Sequence, residues 1–398
     1  MTPTTPDEPA RLWTRDFVLN LLVAHCIFAS YTAMFTLIPL YVIERGGADW
    51  QLGIIVGSFG VVGLVVRPFA GQWVYSIGAK RVAFGGIAVM GVATVLHILA
   101  VDVWLIVPAR VLQGVGLALC PVATSTIVAN LAPGHRRAEA MGYMGNSISA
   151  ASLYAPPAAF WVLQNYGFGS AFIFASAFSF VGCFAVVGMS AARINLPVQP
   201  GTQGDKVPLI NRHALFPTIV FVTYTLTTAP VSTFLPQLAE ERNFGNPGLY
   251  FTMYSITSMI SLAVSGAVSD RLGRGAVIVP GLLIVGAGMF ILATAEIRLL
   301  FMASGVFAGL GFGMIQPAMQ SLVVDRVPPR ERSSTLATLQ SGWDIGGSGG
   351  AFAFGPIGAV AGAAATFAIA GAGTVIGATA YVAGSVRSRQ KAKSVTKV

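Results

Sequence analysis

Two long apolar runs are separated by the sequence GAVSDRLGR at positions 266–274. A related sequence, GQWVYSIGAKR, occupies positions 71–81, and its Gly71 and Gly78 stand 195 positions before Gly266 and Gly273. The same offset relates Gly114, Gly116, Pro133 and Arg137 to Gly309, Gly311, Pro328 and Arg332. Near the start of each half the offset is 197, as between Pro39, Glu44, Arg45 and Pro236, Glu241, Arg242. The chain therefore contains a parallel internal repeat.

The composition around these sequences is that of a membrane protein. Of the 398 residues, 55% are hydrophobic and 10% charged, with a mean hydropathy of +0.73, whereas soluble domains carry about 25% charged residues. At about 20 apolar residues per crossing, a chain of this length accommodates about twelve helices. Apolar windows lie at about 17–43, 51–74, 83–101, 103–129, 138–164, 170–192, 213–239, 249–269, 276–295, 297–324, 333–359 and 363–386.

The distribution of positive charge predicts the orientation. The two tails and the loops on the same side of the membrane as the tails hold 19 Lys and Arg, and the loops on the opposite side hold 3. Arg67 and Arg110 lie within spans. Since basic loops stay in the cytoplasm, we expect a multi-pass protein of a bacterial inner membrane with both termini cytoplasmic. The net charge of +9 is spread over these loops, so we expect no nucleic-acid partner.

The predicted architecture is an all-α membrane protein with two pseudo-symmetric six-helix bundles. The bundles cover residues 17–192 and 213–386, with cytoplasmic tails at 1–16 and 387–398. The segment 193–212 is polar, contains Pro197, Pro200 and Gly201, and is predicted to be a cytoplasmic linker. Cys26, Cys120 and Cys183 lie inside apolar runs, which argues against a disulfide framework or a metal site.

The sequence GAVSDRLGR resembles the G-x-x-x-D-R-x-G-R signature loop of the major facilitator superfamily. The twelve spans, the linker and the repeat agree with this resemblance along the whole chain. It implies a gating role for the two loops and their surroundings: Arg67, Gly71, Gly78, Lys80, Arg81, Gly266, Asp270, Arg271, Gly273 and Arg274. Because Tyr75 takes the acidic position of the first loop, we expect the conformational lock to rest on Asp270.

Two further sequences resemble motifs of this family. Arg110, Gln113 and Gly114 match R-x-x-Q-G, whose arginine the family associates with proton coupling, and the repeat partner of Arg110 is Gly305. In the fifth span, Gly142 and Pro156 with intervening alanines resemble the antiporter motif. Small residues permit close helix approach, so the same pattern also fits generic packing.

The eleventh span carries Asp344, which we place near the bilayer midplane because it lies about 11 residues into a helix that rises 1.5 Å per residue. We expect Asp344 and Arg110, interpreted as the one deep basic residue, to couple transport to protons; alternatively Asp344 only bonds the glycine-rich backbone beside it. Candidate residues of the substrate cavity are His25, Thr32, Gln113, Asn146, Tyr224, Gln316, Gln320 and Gln340.

No catalytic or nucleotide-binding motif is present in the sequence, so we expect a transporter without cofactor, driven by an ion gradient. The preferred hypothesis is a monomeric proton-coupled antiporter that exports a small organic molecule by alternating access. Its expected partners are the lipid bilayer, protons and the substrate. Uptake by symport, facilitated diffusion and a non-transporting membrane sensor stay open as alternatives.

Overall fold

The computed structural model describes residues 12–47, 49–194, 207–244 and 248–395. These residues form helices and short connections, without a strand among them. The helices are α1 (Arg15–Glu44), α2 (Asp49–Ile77), α3 (Ala79–Leu96), α4 (Ile106–Leu131), α5 (Arg137–Gly188), α6 (Ala191–Ile194), α7 (Arg212–Thr225), α8 (Thr228–Glu241), α9 (Gly248–Leu272), α10 (Gly275–Thr294), α11 (Arg298–Asp325), α12 (Arg332–Asp344) and α13 (Gly350–Val395).

The helices lie at the twelve predicted windows, but two of the spans are interrupted and two are joined in one helix. Within the described residues, nine helical segments are long and apolar enough to cross a membrane. One of them contains both the fifth and the sixth span, and the windows at 51–74 and 333–359 correspond to α2 and to α12 with the start of α13. The seventh span is divided into α7 and α8, and the eleventh is interrupted by a π-helical turn at Ile345–Gly349. Most of the predicted linker, residues 195–206, lies outside the described residues.

Local sequence explains where several helices begin and turn. The Thr14 hydroxyl accepts a hydrogen bond from the backbone N–H of Phe17 and caps α1, and Asn211 caps α7 through the N–H of His213. Gly167 and Gly362, again 195 positions apart, both have φ of +79° and turn the chain between consecutive spans inside α5 and α13. Only glycine adopts this backbone conformation without strain.

The internal repeat is visible in the contacts. A Cβ on Gly114 would meet Phe59 and Val62, and one on Gly309 would meet Tyr254 and Thr257. Each partner in the second half is 195 positions after its counterpart in the first. Glycines therefore mark the same close helix approaches in both bundles, as expected of bundles related by an axis along the membrane normal.

The two bundles meet near one face of the molecule, which we call the basal face. It carries the start of α1, the turns at 77–79, 131–137, 272–275 and 325–332, and the last turns of α13. Hydrogen bonds connect these segments, for example from Arg332 to Asn130 and from Gln72 to the carbonyl of Val207.

The opposite face is called distal. Large apolar side chains such as Phe184, Phe352 and Val360 are more than three-quarters exposed, as suits a lipid-facing surface.

Candidate functional site

A buried ion pair joins the two bundles. Arg67 of α2 donates from Nε to Asp344 Oδ2 over 2.6 Å and from Nη2 to Oδ1 over 3.0 Å. The two side chains are 7% and 11% exposed. Both carboxylate oxygens of Asp344 thus bind Arg67, a bidentate arrangement that is among the stronger charge-assisted contacts.

The neighbouring residues are shaped for this pair. A Cβ on Gly63 would lie 2.7 Å from Asp344 Oδ1, so only glycine lets the carboxylate approach α2. Gln340, one turn before Asp344, accepts from Arg67 over 3.3 Å and donates to the Ser125 hydroxyl over 2.9 Å. Asp344 also ends α12 immediately before the π-helical turn at Ile345–Gly349. Such turns are rare and occur frequently at functional sites.

The expectation that Arg110 is the one deep basic residue, and hence the partner of Asp344, is wrong for this conformation. Arg67 is equally deep and takes both oxygens of the acid. Arg110 instead donates to Gln113 over 2.9 Å, and Gln113 donates to Thr94. The Arg110 guanidinium also lies over the Phe59 ring, 4.8 Å from its centroid. The predicted Arg110–Gln113 motif is therefore a network inside the first bundle.

Aromatic side chains approach the ion pair from both bundles. Tyr31 stacks on Phe59 with ring centroids 5.2 Å apart, and it lies within electrostatic range of Arg110, Asp344 and Arg67. In the second bundle, the predicted cavity residue Tyr224 is buried and contacts Trp343 and Phe312. Trp343 directly precedes Asp344 in the chain and packs against Phe221, Tyr224 and Phe312 inside the second bundle.

The remaining predicted cavity residues do not gather at the ion pair. His25 contacts the Ser147 carbonyl and the Tyr154 hydroxyl, at 2.9 and 2.7 Å, inside the first bundle. Thr32 donates to the carbonyl of Phe28 in its own helix. Three amides have a buried oxygen without a hydrogen-bond partner: Asn146, Gln316 and Gln320.

At the basal face, Asp270 contacts the opposite bundle as the sequence predicts. Its carboxylate accepts hydrogen bonds from the backbone N–H groups of Ala138 and Glu139, at 3.2 and 3.0 Å. These groups belong to the first turn of α5, where the helix dipole favours an anion. Arg274 binds Asp270 as well. Among the described residues, Tyr75, the counterpart of Asp270, makes no such contact with the second bundle.

The sequence analysis missed the partner acid of this cluster, Asp325. It binds Arg274 over 2.8 Å and also binds Arg137 across the bundle interface. Burial opposes the charge of Arg274, but hydrogen bonds to Asp270 and Asp325 raise its pKa above the ordinary value. The repeat would have identified the site, because Asp325 corresponds to Asn130 and Arg137 to Arg332, and Arg332 donates to Asn130 over 3.0 Å.

Gly71 and Gly266 occupy equivalent places between the bundles. A Cβ on Gly71 would meet Ser333 and Ser334 of α12, and one on Gly266 would meet Ala138 and Glu139 of α5. Both partners are again 195 positions apart. The two contacts hold the bundles together at the basal face.

The other gating candidates have separate roles. Gly78 and Gly273 turn the chain with φ of +95° and +93°. Lys80 donates to the carbonyls of Val187 and Met189, and Arg271 is exposed. Gly78, Lys80 and Arg81 line a basal cavity of about 1040 Å³, away from the ion pair. Pro156 lies inside α5 and not at the bundle interface described above.

The ion pair itself has no counterpart under the repeat. Arg67 and Asp344 correspond to Leu262 and Ser149. At that equivalent place, Leu262 packs against Gly142 and Gly145. The fold therefore forms this helix contact without charge, and the ion pair serves something other than architecture.

Comparison with known proteins agrees with this geometry. The Major Facilitator Superfamily family model matches residues 21–249 and again residues 215–397. The chain belongs to the Major Facilitator Superfamily. The second match covers the second half of the repeat, and the first covers the first half and continues through α8.

Relatives within the Major Facilitator Superfamily include exporters. The chain is 22% identical to the staphylopine export protein of Staphylococcus aureus over 85% of this chain and 88% of that protein. It is 27% identical to multidrug resistance protein 2 of Bacillus subtilis, in a match spanning 36% of each chain. As a member of this superfamily, the chain is a transporter and not an enzyme.

Solved structures share the fold over nearly the full length. The human organic anion transporter MFSD10 superposes with a TM-score of 0.78 at 16% identity, covering 94% of this chain and 100% of that one. The transporter FucP in its outward conformation gives a TM-score of 0.74 at 15% identity, covering 93% and 99%.

Proposed function

We propose that this protein is a proton-coupled antiporter that exports a small organic molecule across a bacterial inner membrane. The observation that carries the proposal is the Arg67–Asp344 ion pair between the bundles. A charge at this depth costs several kcal/mol unless it is paired or reaches water. Whether Asp344 is ionised therefore influences whether the bundles stay together.

The basal face corresponds to the cytoplasmic side in this proposal, since it carries the basic loops. In the described conformation Arg137–Asp325 and the contacts of Asp270 join the bundles at this face, and Arg67–Asp344 joins them farther along α2 and α12. The substrate site between the bundles is then reached from the distal, external side.

The proposed cycle alternates a proton and the substrate. A proton from outside neutralises Asp344, which releases Arg67 and allows the basal side to open. In the cytoplasm the proton leaves and the substrate binds. The recharged carboxylate draws Arg67 back, closes the basal side and presents the substrate to the outside. Export, rather than uptake, is supported by the named activities of the staphylopine and multidrug relatives.

The test is transport in proteoliposomes containing a trapped pH indicator. Ethidium and 1-naphthoate serve as cationic and anionic probes, so that the result does not depend on one charge class. We expect an imposed pH gradient to drive accumulation of one probe, and Asp344→Asn to abolish it while downhill counterflow continues. Glu296→Gln, an exposed distal acid, is the matched control. If Asp344→Asn accumulates the probe at the wild-type rate, Asp344 is not the proton carrier.

A further inference from the structure

Arg110 is a buried cation that lacks a carboxylate partner. Its side chain is 2% exposed, and its Nε has no hydrogen-bond partner. Within the described residues, its contacts are the neutral Gln113 oxygen and the Phe59 ring. A buried cation without a counter-ion is costly in a membrane span, and contacts to a neutral oxygen and a ring offset only part of this cost.

Packing does not require this charge. The counterpart of Arg110 is Gly305, which approaches the Tyr250 backbone closely in the second bundle. The same helix crossing is thus made with a glycine in one half and an arginine in the other. The arginine is an addition to the fold.

The charges around Arg110 favour a ligand of one sign. Asp344 uses both oxygens on Arg67, so a cationic ligand would have to break a bidentate ion pair before it found an anion. An anionic ligand meets the free donor of Arg110 and breaks no ion pair. Arg67 and Asp344 cancel each other, whereas the charge of Arg110 has no carboxylate partner among the described residues.

The surrounding surface favours an aromatic ligand. The Phe59 ring lies on the Arg110 guanidinium and stacks on Tyr31, and Trp343, the residue before Asp344, contacts Phe312. Flat rings stack on such side chains with a gain of about 0.5–1.5 kcal/mol per contact beyond the buried area. A polar ligand without an apolar body would leave most of this surface unused.

From these observations we infer that the substrate is an organic anion with a single negative charge and an aromatic body, bound with its anionic group on Arg110. This inference rests on the proposed function for the site but not on its proton coupling. Since the guanidinium lies beneath Phe59, binding requires the Phe59 side chain to turn aside, and the ligand ring then stacks on Tyr31 in its place.

The first experiment needs no variant. Purified full-length protein in detergent is titrated with 1-naphthoate, neutral 1-naphthamide and cationic 1-naphthylmethylammonium, and the thermal unfolding midpoint is measured. A ligand that binds only the folded state raises this midpoint with concentration. We expect naphthoate to bind at least about tenfold more tightly than the amide, since tenfold corresponds to 1.4 kcal/mol. Equal binding of the three ligands, or a preference for the cation, overturns the inference.

Variants then test the assignment to Arg110. Arg110→Gln should remove the preference for naphthoate over naphthamide, and Arg110→Lys should retain part of it. Arg298→Gln removes an exposed distal charge and should change nothing. A full preference in Arg110→Gln overturns the assignment; if that variant does not fold, the comparison of Arg110→Lys with wild type decides. Naphthoate binding that survives while pH-driven transport is absent would refute the antiport cycle and leave the substrate class intact.

Discussion

The contact between Asp344 and Arg67 requires a glycine, Gly63, beside the carboxylate. The Asp344 carboxylate reaches α2 because Gly63 has no Cβ. A Cβ added to Gly63 would lie 2.7 Å from Asp344 Oδ1. A separation this short cannot be accommodated without moving one of the groups. The geometry of the ion pair therefore depends on a residue that carries no charge.

Gly63→Ala should displace Asp344 from Arg67 and reduce pH-driven accumulation as strongly as Asp344→Asn does, while the acid remains present. The matched control is Gly85→Ala, because a Cβ there meets nothing within 4 Å. The control should be neutral or up to about 1 kcal/mol more stable, since alanine favours helix. Accumulation in proteoliposomes and the unfolding midpoint measure the two effects, and full coupling in Gly63→Ala would contradict this account.

At the basal face, Asp270 is the residue whose charge should matter most. Asp270→Asn weakens charge-assisted bonds to two backbone N–H groups and to Arg274, worth roughly 1.5–3 kcal/mol. We expect the bundles to separate there more often, so that a cysteine placed at Ser333 is labelled about tenfold faster. Tyr75→Phe, at the equivalent place, should leave the labelling rate unchanged. Similar labelling in both variants would argue against a lock on Asp270.

Between helices, close contact contributes to the closed state in addition to charge. A Cβ on Gly266 would lie 2.5 Å from the Ala138 carbonyl oxygen of α5. This oxygen belongs to the helix backbone and cannot turn aside as a side chain can. The helices must therefore move apart to accept any side chain.

Gly266→Ala should destabilise the basal-closed conformation by roughly 1–3 kcal/mol, the usual cost of overpacking. Transport should slow, and labelling at the basal face should increase, with the global unfolding midpoint little changed. Gly169→Ala, where a Cβ meets nothing within 4 Å, is the control. Wild-type labelling in Gly266→Ala would show that α5 and α9 yield without opening.

The positions of the helices were predictable because each span has a long apolar run. The breaks within the seventh and eleventh spans were not predictable. The division between α7 and α8 depends on hydroxyls at Thr225, Thr227 and Thr228 that bond carbonyls within one turn. The π-helical turn after Asp344 depends on packing of Gly346 against Thr225. The first is a local side-chain effect and the second a tertiary contact, and apolar periodicity records neither.

Over the whole molecule, pseudo-symmetry separates what the fold requires from what transport requires. The Leu262 contact shows that the Arg67 position can be filled by an apolar side chain. Replacing a buried ion pair by apolar groups is often neutral or stabilising.

The double variant Arg67→Leu with Asp344→Ser puts the residue types of the uncharged counterpart contact, Leu262 and Ser149, in the place of the ion pair. It should fold with a stability within about 2 kcal/mol of wild type or above it. It should carry substrate downhill but show no accumulation on a pH gradient. Arg67→Leu alone leaves Asp344 unpaired and should be the less stable protein by unfolding midpoint. If the double variant were the less stable one, the ion pair would belong to the architecture.

The site was partly predictable at this scale. The sequence singled out Asp344, because it is an acid far from any loop, and Gln340 beside it. The prediction that Arg110 is the partner of Asp344 was wrong, since which of the two intramembrane arginines reaches α12 depends on how the bundles meet. The Asp325 cluster was hidden because its residues lie at helix ends, where charges are ordinary.

The constant offset between the halves also shows in which segments the two halves have equal length. From Phe59 and Tyr254 through Gly167 and Gly362 the spacing stays at 195, so neither half has gained or lost a residue relative to the other over the second to fifth spans of its bundle. The change from 197 to 195 falls between Arg45 and Phe59, at the distal turn beside Gly46. That turn is the place where an inserted epitope or fluorophore site should leave the register of every gate and charge undisturbed.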